Sequence, residues 1–131
     1  KRHEINDLLL ATYHLRIYEG CEFGCPYCDA WSYSDHPINT RIRVSIDLPE
    51  QLAEEVPHGQ PGDVIGLDLG EPYQPAEQHY RVTRRTLETL VAQGRPCVIL
   101  TKSPSVLEDL PLLHEMVRTS FVIVIATMVI D

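Results

Sequence analysis

Three thiols crowd one short stretch of the chain, Cys21-Glu22-Phe23-Gly24-Cys25-Pro26-Tyr27-Cys28. The C-x3-C-x2-C spacing lets Cys21, Cys25 and Cys28 face a single polynuclear centre, and Gly24 and Pro26 help the backbone turn around it. A cubane of four irons normally takes four cysteine ligands. Three ligands leave one iron open to a small molecule, by the same logic that separates catalytic from structural zinc. Zinc is the alternative occupant, with His3, His14 or His36 as fourth ligand. Zinc sites usually come as two paired pieces, however, and no second cysteine pair follows. The fourth cysteine, Cys97, is far downstream.

The thiols are set in a chain that alternates strand and helix patterns. Residues 15–18 form a short strand that runs into Gly20 and the cysteine loop. Residues 41–46 alternate polar and apolar side chains, as a half-exposed strand does. Asp47 is placed to cap a short helix, with Pro49 just inside its start and Glu50 three residues on, reaching about Val56. Pro57, Gly59, Pro61 and Gly62 mark a turn. Residues 63–69 then read as a buried strand that ends at Gly70. After Pro72 and Pro75 a helix is expected from Ala76 to about Gln93. Its face is Tyr80, Thr83, Leu87, Leu90 and Val91, and Gly94 stops it. Residues 97–101 form the next strand. Val106, Leu110, Leu113 and Val117 mark one face of a further helix that Pro111 bends or splits. Residues 121–126 are the last strand.

This alternation predicts an α/β fold of parallel βα units with right-handed crossovers. The strands are nearly continuous in apolar residues, as strands covered on both faces are. Such sheets carry their chemistry in the loops after the carboxyl ends of the strands. Here those are residues 20–31, 70–75 and 102–105. Cys97 opens its strand and therefore reads as a core thiol at the opposite edge. Arg81, Arg84 and Arg85 read as the solvated outer face of a helix.

Composition narrows the function. The 131 residues are 44% hydrophobic and 23% charged, the balance of one ordinary folded domain. The net charge of -8 gives no basic footprint for nucleic acid and no polybasic membrane anchor. The apolar run from residue 121 to 130 is too short to span a bilayer and has no signal-peptide flank. Thiols crowded into one loop suit a metal in a reducing compartment, which predicts a cytoplasmic protein. The start at Lys1 and the stop inside an apolar run read as an amino-terminal portion truncated at its carboxyl end.

On these residues the chain resembles the radical SAM superfamily. The carriers are the C-x3-C-x2-C loop after a first strand and the aromatic Tyr27 just before its last cysteine. The wider context is similar to the spore photoproduct lyase-related branch. It comprises Tyr18-Glu19-Gly20-Cys21, then Gly70-Glu71-Pro72-Tyr73-Gln74-Pro75-Ala76-Glu77, and Leu100-Thr101-Lys102-Ser103-Pro104. The resemblance covers about residues 13–127 and implies part of a partial TIM barrel. It also implies a 4Fe-4S cluster on Cys21, Cys25 and Cys28, with S-adenosylmethionine on the fourth iron. One electron from the cluster would split the sulfonium to methionine and a 5′-deoxyadenosyl radical, which takes hydrogen from a substrate. An electron donor of flavodoxin or ferredoxin type is the implied partner. By the same resemblance Tyr27 lies against the adenine, and Gly70 and Glu71 meet the methionyl amino group. Lys102 and Ser103 meet its carboxylate or the ribose, and Thr127 is a further candidate. Asp29, Trp31, Asp35 and His36 follow the cluster without an assigned role.

Two departures shape the expectation. The branch has Thr-Asp where this chain has Gly70-Glu71, which keeps an acid. Photoproduct repair also implies a non-cluster cysteine near the radical, and residues 67–73 contain none. With the acidic charge, this argues against thymine-dimer repair in DNA and leaves the substrate open. Two other classes remain: a non-catalytic iron–sulfur or zinc module, and a degenerate half-barrel that serves as an interaction domain.

Overall fold

Apolar runs rich in β-branched residues, separated by amphipathic stretches, give this chain an α/β architecture. The computed structural model describes residues 11–20, 42–59 and 63–126. In chain order the strands are β1 (Tyr13–Arg16), β2 (Tyr18–Glu19), β3 (Arg43–Val44), β4 (Ile65–Leu69), β5 (Cys97–Thr101) and β6 (Val122–Ala126). The helices are α1 (Leu48–Glu55), α2 (Glu77–Tyr80), α3 (Val82–Gln93) and α4 (Leu110–Met116), with 3-10 turns at Val56–His58 and Pro104–Asp109. Strands β1, β4, β5 and β6 form one sheet in that order, every pair parallel. Strands β2 and β3 form a separate antiparallel ribbon.

Period-two alternation divides the main sheet into two faces. Ile65, Leu67, Cys97 and Ile99 pack with Leu87 and Leu90 of α3 and with Leu113 and Met116 of α4. Each fully buried leucine of that layer contributes about 2 kcal/mol. Gly66, Asp68 and Val98 alternate onto the other face. The parallel sheet and the buried β4 and β5 match the sequence. No helix of the described residues is long and apolar enough to cross a membrane.

Several local expectations are corrected. The strand foreseen at residues 15–18 is divided, because Ile17 leaves the main sheet and Tyr18 pairs with Val44 in the small ribbon. The strand foreseen at 41–46 keeps only Arg43–Val44 as strand. Asp47 precedes α1, but its side chain makes no capping bond. Pro111 sits in the first turn of α4, and the stretch before it is a 3-10 turn. Leu110 and Val117 are exposed, and Met116 takes the buried place beside Leu113. β6 is not covered on both faces either, since Ile123 and Val124 are exposed.

The long helix expected at 76–93 is broken at Arg81, whose φ of 54° is left-handed. Glu77 explains the break. Its buried carboxylate accepts the Thr83 and Arg84 amides at 2.9 and 3.0 Å, doing for α3 what an N-cap side chain does. It also accepts the Tyr18 hydroxyl at 2.5 Å. Burial and this carboxylate push the Tyr18 phenol well above its ordinary range. Tyr80, foreseen on the buried face, is exposed.

The three arginines are not a merely solvated face. Arg84 Nε meets the buried Asp109 at 2.7 Å, Arg85 pairs with Glu50 of α1, and Arg81 reaches Gln78 and Glu108. The bond to Asp109 raises the Arg84 pKa further.

Two predictions follow from this packing. Glu77→Ala strands two helix amides and a buried phenol, each costing about 1–3 kcal/mol. Urea denaturation should show a loss of about 3 kcal/mol, larger than for Glu77→Gln, which retains one acceptor. Cys97 is fully buried, and desolvation, with the Asp68 charge adding to it, pushes its thiol pKa up. A raised pKa means less thiolate at any given pH. Iodoacetamide at pH 8 should therefore spare Cys97 in the folded chain and label it once urea is added, read by peptide mass.

Candidate functional site

β4 and β5 run side by side in register, Leu67 opposite Ile99, so the chain leaves both at the same edge. Gly70 follows β4 with φ 77°, and a Cβ there would stand 2.6 Å from the Tyr18 carbonyl oxygen. Only glycine fits that turn. The turn sends Glu71 back across the gap toward β5.

The Glu71 side chain is buried and both its oxygens are engaged. Oε1 accepts the Lys102 amide at 2.7 Å. Oε2 accepts the Tyr73 amide at 2.9 Å and the Thr101 hydroxyl. Thr101 Oγ1 in turn accepts the Ser103 amide at 3.0 Å. Ser103 Oγ accepts the Ser105 amide and so caps the 3-10 turn. One carboxylate thus fixes the backbone at the ends of two strands.

The Tyr73 and Gln74 side chains extend the tie. The Tyr73 hydroxyl donates to Asp109 at 2.7 Å, and burial together with that bond pushes its pKa far up. Gln74, also buried, donates from Nε2 to the Gly20 carbonyl at 3.0 Å and to the Glu71 carbonyl at 3.2 Å. Gly20 directly precedes Cys21. The chain therefore enters the thiol segment beside Glu71.

Of the residues singled out from sequence, Gly70, Glu71, Lys102 and Ser103 lie on this one rim. Cys21, Cys25, Cys28 and Tyr27 lie outside the described residues, as do Asp29, Trp31, Asp35, His36, His3 and Thr127. Among the described residues no group of three or more His, Cys, Asp or Glu side chains could hold a metal ion. Glu71, foreseen at a ligand's amino group, is buried and accepts three hydrogen bonds from protein donors. At the same rim Gly70 is exposed and Lys102 is half-buried. A recess of about 130 Å³ lies at the other edge, lined by Tyr13, Leu52, Val56, Asp63, Ile65 and Arg95.

Sequence reasoning assigned no role to Thr101, Tyr73, Gln74 or Asp109. It also missed a second pair. His14 of β1 and Asp68 of β4 approach to 2.6 Å, Nδ1 to Oδ2, and both are largely withdrawn from solvent. The signal was available, since Asp68 is an acid inside the apolar strand Ile65-Gly66-Leu67-Asp68-Leu69.

Glu71→Gln should cost about 2 kcal/mol, because an amide cannot accept at both positions and leaves a buried donor unpaired. Thr101→Val should cost a similar amount. In a double-mutant cycle the two losses should be clearly less than additive, since they break the same bond. Additive losses in urea denaturation would contradict the tie.

The chain is 30% identical over 112 residues to uncharacterized proteins of Mycobacterium bovis and Mycobacterium tuberculosis, covering 79% of this chain and 33% of theirs. It is 28% identical over 107 residues to an uncharacterized protein of Methanocaldococcus jannaschii, covering 78% of this chain and 39% of that one. No family model and no solved structure matches it. The chain spans about one third of the length of the mycobacterial relatives that it matches.

Proposed function

We propose that this chain is part of a radical S-adenosylmethionine iron–sulfur protein, with Cys21, Cys25 and Cys28 as the cluster ligands. The observation that carries the reading is the shared rim. The chain enters the three-thiol segment at Gly20, and Gln74 holds that carbonyl beside Glu71, Thr101 and Lys102. Parallel α/β sheets use this edge for ligands.

Cys97, the one cysteine among the described residues, offers no fourth thiolate at the rim. Cys97 opens β5 and is buried at the amino end, about 13 Å along the strand from the carboxyl rim. It is not available as a fourth ligand. At the rim, Gly70 presents backbone without a side chain, and Ser103 keeps its hydroxyl proton to donate. Lys102 carries the charge that suits a carboxylate. Glu71 fixes the Lys102 backbone and so sets where that charge can reach. The bound cluster and S-adenosylmethionine would supply one-electron cleavage to a 5′-deoxyadenosyl radical, with a flavodoxin- or ferredoxin-like donor. The remaining strands of a partial barrel would then belong to the full-length protein.

The test is anaerobic reconstitution of the full-length protein with iron and sulfide. The reduced protein's paramagnetic spectrum should change on addition of S-adenosylmethionine, and 5′-deoxyadenosine should form. Alanine at Cys21, Cys25 or Cys28 should abolish both. Cys97→Ala should leave the iron content unchanged. An unchanged spectrum with no product would refute the radical reading. Stoichiometric zinc in anaerobically purified protein would make the loop a zinc module.

A further inference from the structure

Gln74 lies between β4 and α2, and it is only 1% exposed. Its Nε2 donates to the Gly20 carbonyl at 3.0 Å and to the Glu71 carbonyl at 3.2 Å. The bond to Gly20 joins the segment after β4 to the chain that runs into Cys21. The same segment meets that chain twice more. Gly70 packs so near the Tyr18 carbonyl that a Cβ would stand 2.6 Å from its oxygen, and the Glu77 carboxylate accepts the Tyr18 hydroxyl. Residues 70–77 thus meet residues 18–20 at three points. Gly70 and Glu77 act at Tyr18. Gln74 acts at Gly20, one residue before the first thiol.

The residue type follows from the partners. Both acceptors of Nε2 are carbonyls, so the position requires a donor. The acids that tie the neighbouring backbone, Glu71, Glu77 and Asp109, do the opposite work, since an ionised carboxylate only accepts. A lysine would donate but would bury a charge. A side-chain amide carries two protons on one nitrogen, one for each carbonyl, and no charge.

A peptide group is planar and rigid, so holding the Gly20 carbonyl oxygen fixes the plane in which the chain passes to Cys21. Gly20 needs that hold, because its φ is 87° and it has no side chain to restrict it. Groups that orient a metal's ligands without touching the metal are worth about 10–100-fold in affinity. We propose that Gln74 is a positioning residue for metal binding by Cys21, Cys25 and Cys28, acting through the Gly20 carbonyl. This rests on the reading that the three thiols hold a metal, and it applies alike to an iron–sulfur cluster and to zinc.

The experiment titrates the full-length protein, freed of metal under anaerobic conditions, with cobalt(II) and reads the sulfur-to-cobalt charge-transfer absorption. Gln74→Met keeps the side-chain length without a donor. Gln74→Glu keeps the shape with an oxygen in place of the donating nitrogen, so it decides the matter where Gln74→Met fails to fold. At mildly alkaline pH each should weaken cobalt binding by about tenfold or more. Leu113→Ala opens the core beneath α4 and controls for lost stability alone. It should bind cobalt as the unsubstituted protein does, with urea denaturation giving the stability of every variant. Cobalt affinity in the folded Gln74 variants equal to that of the unsubstituted protein would overturn the positioning role and leave the metal reading intact. So would a loss in Leu113→Ala as large as theirs. A charge-transfer band that is missing from the unsubstituted protein, or that survives Cys21→Ala, would overturn the metal reading and the proposal with it.

Discussion

The Glu71 carboxylate holds the end of β4 to the end of β5, and the candidate site depends on it. Parallel strands bring their ends to one edge, but their ladder stops where the loops begin. Beyond Leu69 and Thr101 nothing in the sheet fixes the backbone. Glu71 takes over there, accepting the Lys102 amide and the Thr101 hydroxyl across the gap and the Tyr73 amide in its own loop. Gly70 makes the reach possible by turning left-handed under the Tyr18 carbonyl. Charge-assisted bonds of this kind are stronger than neutral ones, and burial strengthens them further.

The same device recurs. Glu77 caps α3 and anchors Tyr18, while Asp109 joins Tyr73 to Arg84. In an acidic chain these buried carboxylates act as cross-links between elements, each surrounded by donors. Their bonds meet around residues 71–84, so the segment after β4 is fastened at closely spaced points. Such a scaffold holds backbone amides and carbonyls in fixed positions, which is what a site for a charged ligand requires.

Much of this was legible in the sequence. Apolar runs flanked by glycine and proline marked β4 and β5, and strand–helix alternation gave the parallel sheet. The rule that chemistry gathers at carboxyl ends brought Gly70, Glu71, Lys102 and Ser103 together. What the sequence hid were contacts between residues far apart in the chain. Helical periodicity runs unbroken through Arg81, because the break depends on Glu77 folding back onto the Thr83 and Arg84 amides. Glu71 looks like a loop acid until Thr101, thirty residues later, lies beside it. Asp68 and His14 are separated by fifty-four residues, and only the β1–β4 pairing makes them neighbours. Leu110 and Val117 satisfied a helical spacing that the 3-10 turn before α4 then rotated out of phase.

The small ribbon of β2 and β3 has an entropic meaning for the thiols. Glu19 pairs with Arg43 and Tyr18 with Val44, so the chain on either side of the cysteine segment is already joined. Closing a loop costs conformational freedom that grows with the logarithm of its length. Here backbone hydrogen bonds of the ribbon, with the Ser45 amide bonded to the Ile17 carbonyl, have met that cost before any ligand arrives. In the proposed reading, a group held by Cys21, Cys25 and Cys28 would bind within a loop already closed at Glu19 and Arg43. It does not have to bring distant parts of a chain together, and its binding free energy is spared that loss.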